Sequence, residues 1–176
     1  MRRFIDDDEF YELFQEFEHT AYRLETRERY VVDYEDDPFS AFLAGRPQYD
    51  WIQDWEKLIR GAVAEGKRFE RVRVVSEPPS DYTRFSLDVA RLNVDAGEDI
   101  RYLLRPRAEE LGLPDEDYWL FDSRIAVIFH FGADGRITER KLTDEPTAIV
   151  QRNYWRDVAQ HSAIKRDEYA ATHSLT

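Results

Sequence analysis

The sequence predicts an α/β domain in which a mixed β-sheet is flanked by helices, and three observations predict it. Phe10, Leu13, Phe14 and Phe17 fall at i, i+3, i+4 and i+7, which is one face of a helix. Short stretches rich in β-branched and aromatic residues then alternate with helical segments through the middle of the chain. Last, an almost wholly apolar run, Ile125 to Phe131, is followed by a turn, a half-polar strand and a closing helix. Alternating strands and helices ending in a hairpin fit a mixed sheet with helices packed on it.

The elements follow in order. Asp6, Asp7 and Asp8 stand where carboxylates cap the first helix and complement its positive end. This acidic run therefore reads as a cap rather than a metal site. The segment AYRLETRERYVV reads as one strand. Asp37 and Pro38 open a short helix, with proline at its first position, and Gly45 and Pro47 end it. A second long helix runs from about Trp51 to Ala64, with Trp51, Trp55, Leu58, Ile59 and Ala62 in one stripe and Gly66 beyond its end. Phe69 to Ser76 is a strand stopped by Pro78 and Pro79. Ser80 and Asp81 cap a helix carrying Tyr82, Phe85, Leu87 and Ala90. Gly97 precedes a strand from Asp99 to Leu104, and Pro106 to Leu111 is a helical turn. DYWLFD leads to the apolar strand, which is patterned for cover on both faces. Gly132 to Gly135 make the hairpin turn, Arg136 to Leu142 return as a strand, and helix follows from Asp144. Residues 1–165 read as a single domain and 166–176 as a frayed tail.

Composition narrows the function. The chain of 176 residues has a formal charge of −12 and no cysteine. Disulfides, thiolate metal sites and cysteine nucleophiles are excluded. The acidity argues against direct nucleic-acid binding, which draws on a basic surface that displaces counterions. No apolar stretch reaches the ~18 residues of a membrane span, and the two arginines near the start lead into no signal-peptide core. The expected location is the cytoplasm.

Motifs for common chemistries are absent. There is no GxxxxGK[ST], GxGxxG, HExxH or GxSxG, and His19, His130, His161 and His173 contain no i, i+4 pair. No metal and no cofactor are expected. His130 is the one weak catalytic candidate. Strand alternation puts it on a face with Ala126 and Ile128, where a satisfied structural histidine is the simpler reading. The densest polar cluster is RVRVVSEPPSDYTRF. Arg71 and Arg73 share one strand face, and Ser76 and Glu77 reach the strand's C-terminal end, where ligands collect in open α/β sheets. Arg73, Glu77, Tyr82 and Arg84 are thus the candidate ligand- or partner-binding residues, with a strand-to-helix ion-pair network as the competing reading. Asp115, Glu116, Asp117 and Asp122 offer paired carboxylates, but turn chemistry after Pro114 explains the first three.

AYRLET, RVRVVSEPPSDYTRF, NVDAGEDIRYLLR, LPDEDYWLFDS and YWRDVAQHSA together resemble an actinobacterial family of unknown function, whose members are often encoded beside helix-turn-helix regulators. The likeness spans roughly residues 10–165. A second likeness concerns fold. VRVV, a helix, GEDIRYL, LPDEDYWLFDSRIAVIFHF and a helix with a late tryptophan are similar to one half of a phospholipase D-like domain. Catalytic members of that group carry HxKxxxxD: a histidine nucleophile, a phosphate-binding lysine and an aspartate. With Asp122 in the aspartate place, the histidine place holds Asp115 and the lysine place Asp117. Carboxylates there repel a phosphate, so the resemblance implies fold without that chemistry. It implies a non-catalytic regulatory or interaction domain with a helix-turn-helix protein partner, and a homodimer that supplies the second half. The alternatives are a hydrolase or phosphoryl-transfer enzyme built on Arg73, Glu77 and His130, or a toxin- or antitoxin-like member of a two-gene module.

Overall fold

The computed structural model describes residues 1–173. Its sheet has eight strands in the order β1-β7-β6-β5-β2-β3-β4-β8. The strands are β1 (Arg2–Ile5), β2 (Thr20–Glu25), β3 (Arg68–Val75), β4 (Asp99–Leu104), β5 (Asp117–Phe121), β6 (Ile125–Phe131), β7 (Ile137–Thr143) and β8 (Ile164–Lys165). The helices are α1 (Asp7–Glu16), α2 (Asp36–Leu43), α3 (Gln53–Ala64), α4 (Asp81–Ala96), α5 (Arg105–Glu110), α6 (Pro146–Ser162) and α7 (Arg166–Thr172). β2, β3 and β4 are parallel, and every other pairing is antiparallel. The sheet is therefore mixed, as the sequence predicts.

Local chemistry sets the elements. Asp6 caps α1 through a reciprocal box: its side chain accepts from the Glu9 amide while Glu9 accepts from the Asp6 amide. Ser80 caps α4 by accepting from the Thr83 amide. Gly97 ends α4 at φ +113, a left-handed position that suits glycine. Strand alternation then sorts the core into two layers. One face carries Ala21, Phe69, Trp119, Phe121, Val127 and Phe129 beneath α1 and α3. The other carries Tyr22, Leu24, Val72, Val74, Leu120 and Ile128 beneath α5 and α6.

The structure departs from the sequence reading in four places. β2 ends at Glu25 instead of running on to Val32, because the Thr26 amide and hydroxyl turn to the Asp117 carboxylate, at 2.9 and 2.8 Å. α2 begins at Asp36, after a 3₁₀ turn over Asp33–Glu35, so Pro38 is third in the helix rather than first. β1 was not foreseen. It is a four-residue edge strand, mostly exposed, and carries too little apolar pattern to announce itself. The expected frayed tail is corrected as well, since residues 164–172 form β8 and α7. Tyr169 is buried and stacks on Tyr102 at 4.6 Å, and Arg166 donates to the Leu87 carbonyl at 2.9 and 3.1 Å. One aromatic and one arginine anchor this helix, which no hydrophobic period reveals. Residues 174–176 of the expected tail lie outside the described residues.

No helix among the described residues is long and apolar enough to cross a membrane.

Candidate functional site

The site grows from two strands that carry charge in the middle of a sheet. In β2, Arg23 and Glu25 stand two apart, and in β3, Arg71 and Arg73 do the same. The parallel register pairs Arg23 with Arg71 and Glu25 with Arg73, so all four side chains rise from one face as a square. β5 lies on the far side of β2 and brings Trp119 opposite Arg23.

Glu25 is the hub. It accepts from Arg73 Nε at 2.6 Å and Arg71 Nη1 at 2.9 Å, and Arg23 Nε lies 3.5 Å away. Burial pushes the Glu25 carboxyl up, but Arg73, Arg71 and Arg23 together outweigh it and hold the group at about 2. Arg71 also donates through Nε to Glu98 at 2.8 Å. Glu98 is fully enclosed, and burial raises its pKa against the pull of Arg71. Arg23 is 6 % exposed and lies over Phe129, its guanidinium carbon 4.4 Å from the ring centroid. Its Nη2 reaches Asp117 at 3.4 Å.

Above this floor is a cavity of about 770 Å³. That volume is of the order that small-molecule sites occupy. Its walls are aromatic, with Trp51, Trp55, Trp119 and Phe129 among them. The chain after β2 crosses over it. The Val31 amide donates to the Gly135 carbonyl at 3.3 Å, Arg136 pairs with Asp33, and Tyr82 donates to Glu35 at 2.8 Å. Burial raises the pKa of Glu35, with the Tyr82 hydrogen bond opposing it.

The positions matched to HxKxxxxD are carboxylates with other work. Asp117 is 2 % exposed and accepts from the Thr26 amide and hydroxyl, the Tyr30 hydroxyl and Arg23. Asp122, at φ +52, accepts from three successive amides, Glu18, His19 and Thr20, at 2.7–2.8 Å. Burial pushes its carboxyl up, but those three N–H groups prevail and lower its pKa. Asp115 is exposed on the rim of a second, smaller hollow.

The residues singled out from the sequence separate in space. Arg73 and Tyr82 line the large cavity. Glu77 is exposed and faces α7, where it meets His173 at 2.6 Å and accepts from Tyr169 at 3.4 Å. Arg84 lies on the exposed side of α4, because the buried stripe of that helix takes Tyr82, Phe85 and Val89. His130 is exposed at the end of β6, on the face opposite Phe129, beside Asp115 and Asp117 in the smaller hollow. It does not share a site with Arg73. Sequence reading missed Arg23, Glu25, Glu35 and the tryptophans. The signal was present in R-x-E and R-x-R, charge at alternate positions of two otherwise apolar strands, which needs a partner for each charge.

Comparison with known proteins fits this architecture. The family described as "Domain of unknown function (DUF6879)" matches residues 8–171, so the chain belongs to it. NucT from Helicobacter pylori superposes with a TM-score of 0.53 at 9 % identity, covering 94 % of this chain and 97 % of that one. Nuc, a phospholipase D family member from Salmonella typhimurium, gives 0.50 at 9 % identity with the same coverage. The fold is thus phospholipase D-like, and at this identity the likeness speaks to fold alone. No curated protein sequence matches the chain.

Proposed function

Taking membership of DUF6879 as the premise, we propose that this chain is a non-catalytic regulatory or interaction domain, acting in the cytoplasm with a helix-turn-helix transcription regulator. The observation that carries the reading is the fate of the HxKxxxxD positions. Asp115 and Asp117 stand where a nucleophile and a phosphate-binding cation belong, and Asp117 is consumed by Thr26, Tyr30 and Arg23. A buried carboxylate in that place repels a phosphodiester and offers it no hydrogen bond. The scaffold combines its sheet with a half-open cavity and lacks that chemistry, a combination suited to recognition.

The reading extends to assembly. The chain corresponds to one phospholipase D-like half, and a symmetric homodimer would bring two halves together through an isologous interface.

Two measurements test it. Hydrolysis of bis(p-nitrophenyl) phosphate should stay at background. Co-expression with a helix-turn-helix regulator encoded beside it should give a complex that survives size exclusion. Turnover that disappears in Asp117→Asn would overturn the reading, as would a regulator that always elutes apart from the chain.

A further inference from the structure

The large cavity has a chemistry more specific than its size. Its floor carries guanidinium nitrogens that the protein leaves without a hydrogen-bond partner among the described residues. Arg23 donates through Nη2 to Asp117, and Arg71 through Nε and Nη1 to Glu98 and Glu25. Nη1 of Arg23 and Nη2 of Arg71 take no part in these bonds, Nε of Arg23 and Nη1 of Arg73 are buried without a partner among the described residues, and Arg23 and Arg71 are register neighbours on β2 and β3. On the wall, Glu35 accepts the Tyr82 hydroxyl on Oε2, and Oε1 has no donor among the described residues. The cavity therefore presents two donors from its floor and one acceptor from its side.

The charge balance limits what can enter. The lining contains Arg23, Arg71, Arg73, Arg136 and Arg140 against Asp7, Glu25, Asp33, Glu35 and Asp54. These are five positive and five negative groups on the lining itself, and from behind it Lys57 meets Asp54 while Asp117 and Glu98 meet Arg23 and Arg71. Asp7 is matched by Arg140, Asp33 by Arg136, and Asp54 by Lys57. A ligand with a single charge would meet only the donors or only the acceptor of this half-open, largely apolar space. A ligand with both signs and no net charge would not. The walls around the polar groups are aromatic faces, with Trp51, Trp55 and Trp119 the largest, and these favour a flat body.

We propose that the cavity binds a zwitterionic aromatic small molecule of the aromatic amino-acid class. Its carboxylate sits on Arg23 and Arg71, its ammonium meets Glu35, and its ring lies among the tryptophans. A guanidinium pair matches the geometry of a carboxylate. The ammonium at Glu35 has Trp51 and Tyr34 nearby, whose rings lie 6.1 Å apart at the mouth. This inference rests on the reading of the chain as a regulatory domain, for which it supplies the signal.

Isothermal titration at neutral pH with three probes sharing one ring tests it: L-tryptophan, tryptamine without the carboxylate, and 3-indolepropionate without the amine. L-tryptophan should bind one per chain and saturate at millimolar concentration. Each truncated probe should bind at least about tenfold more weakly, since each leaves a charged group of the protein unpaired. Glu35→Gln should keep the fold, because its amide oxygen can still accept from Tyr82. It should also remove most of the preference for L-tryptophan over 3-indolepropionate. Equal or tighter binding of either truncated probe overturns the zwitterion assignment, and so does a preference unchanged in Glu35→Gln. No saturable binding of L-tryptophan overturns the ligand class. None of these outcomes bears on the hydrolysis and regulator measurements, so the two readings fail separately.

Discussion

Replacing Glu25 with glutamine keeps the shape of the side chain and removes the one charge that three guanidinium groups share. Among the described residues Arg73 has no other carboxylate within ion-pair distance, and it is largely buried. Glu25→Gln therefore strands a buried cation, a loss of about 3–5 kcal/mol. The carboxyl gives a second figure for the same interaction. It falls from an ordinary 4.5 to about 2 on folding. At about 1.4 kcal/mol for each pH unit, that difference is worth about 3 kcal/mol. Because the folded value is the lower one, this stability is fully present above pH 4.5. It is lost as the pH falls from there toward 2. The assay is urea unfolding of the native protein and of Glu25→Gln from pH 7 downward. At pH 7 the variant should be less stable by about 3–5 kcal/mol, or about 6–20 °C in melting temperature for a chain of this size. The gap should narrow below pH 4.5 and close toward pH 2. Glu35 and Glu98, both raised, change stability in the opposite sense, and because the Glu25 charge is one cause of each rise, Glu25→Gln relaxes both and their part of the pH dependence cancels incompletely in the difference. A double-mutant cycle with Arg73→Met should show strong coupling. A variant within about 0.5 kcal/mol of the native protein at pH 7 refutes the reasoning, as does a gap that ignores pH.

Three further outcomes are expected. Asp122→Ala deprives three amides of their acceptor and puts a β-carbon residue other than Asp or Asn at φ +52, so chemical unfolding should register a loss of about 1–3 kcal/mol, with Asp122→Asn recovering part of it. Tyr169→Ala removes the ring stacked on Tyr102 and should cost about 3–5 kcal/mol, and a truncation before Ile164 should be destabilised in parallel. Arg84→Ala, on the exposed side of α4, should melt within about 0.5 kcal/mol of the native protein, while Arg73→Ala should not.

The sequence made some elements plain because their signals are local. Phe10, Leu13 and Phe14 repeat at helical spacing behind an Asp6–Glu9 capping box. The limits of β4 and β6 follow from Gly97 on one side and an apolar run with a glycine turn on the other. The candidate site was legible only in part. Arg73 and Tyr82 were singled out, and both line the cavity. Glu77 and Arg84, close to them in the sequence, point to α7 and to solvent, because the turn between β3 and α4 sends neighbouring residues to different sides. Arg23 and Glu25 lie almost fifty residues upstream of Arg73 and join it only by register.

By itself the sequence determined the periodicities, the caps and the turns, and hence the mixed sheet between helices. Through its resemblance to a phospholipase D-like half it also implied that, with Asp122 in the aspartate place, carboxylates take the places of the histidine and the lysine. These are properties of residue type at fixed spacing, and backbone hydrogen bonding reads them within a few residues. Tertiary structure alone decided the strand order, the docking of α7 through Tyr169, and the square of Arg23, Glu25, Arg71 and Arg73 beneath the cavity. The physical reason is the range of the forces involved. A charge on a strand is tolerated in a core only when a partner from another strand meets it, and that partner is chosen by packing and register between segments distant along the chain.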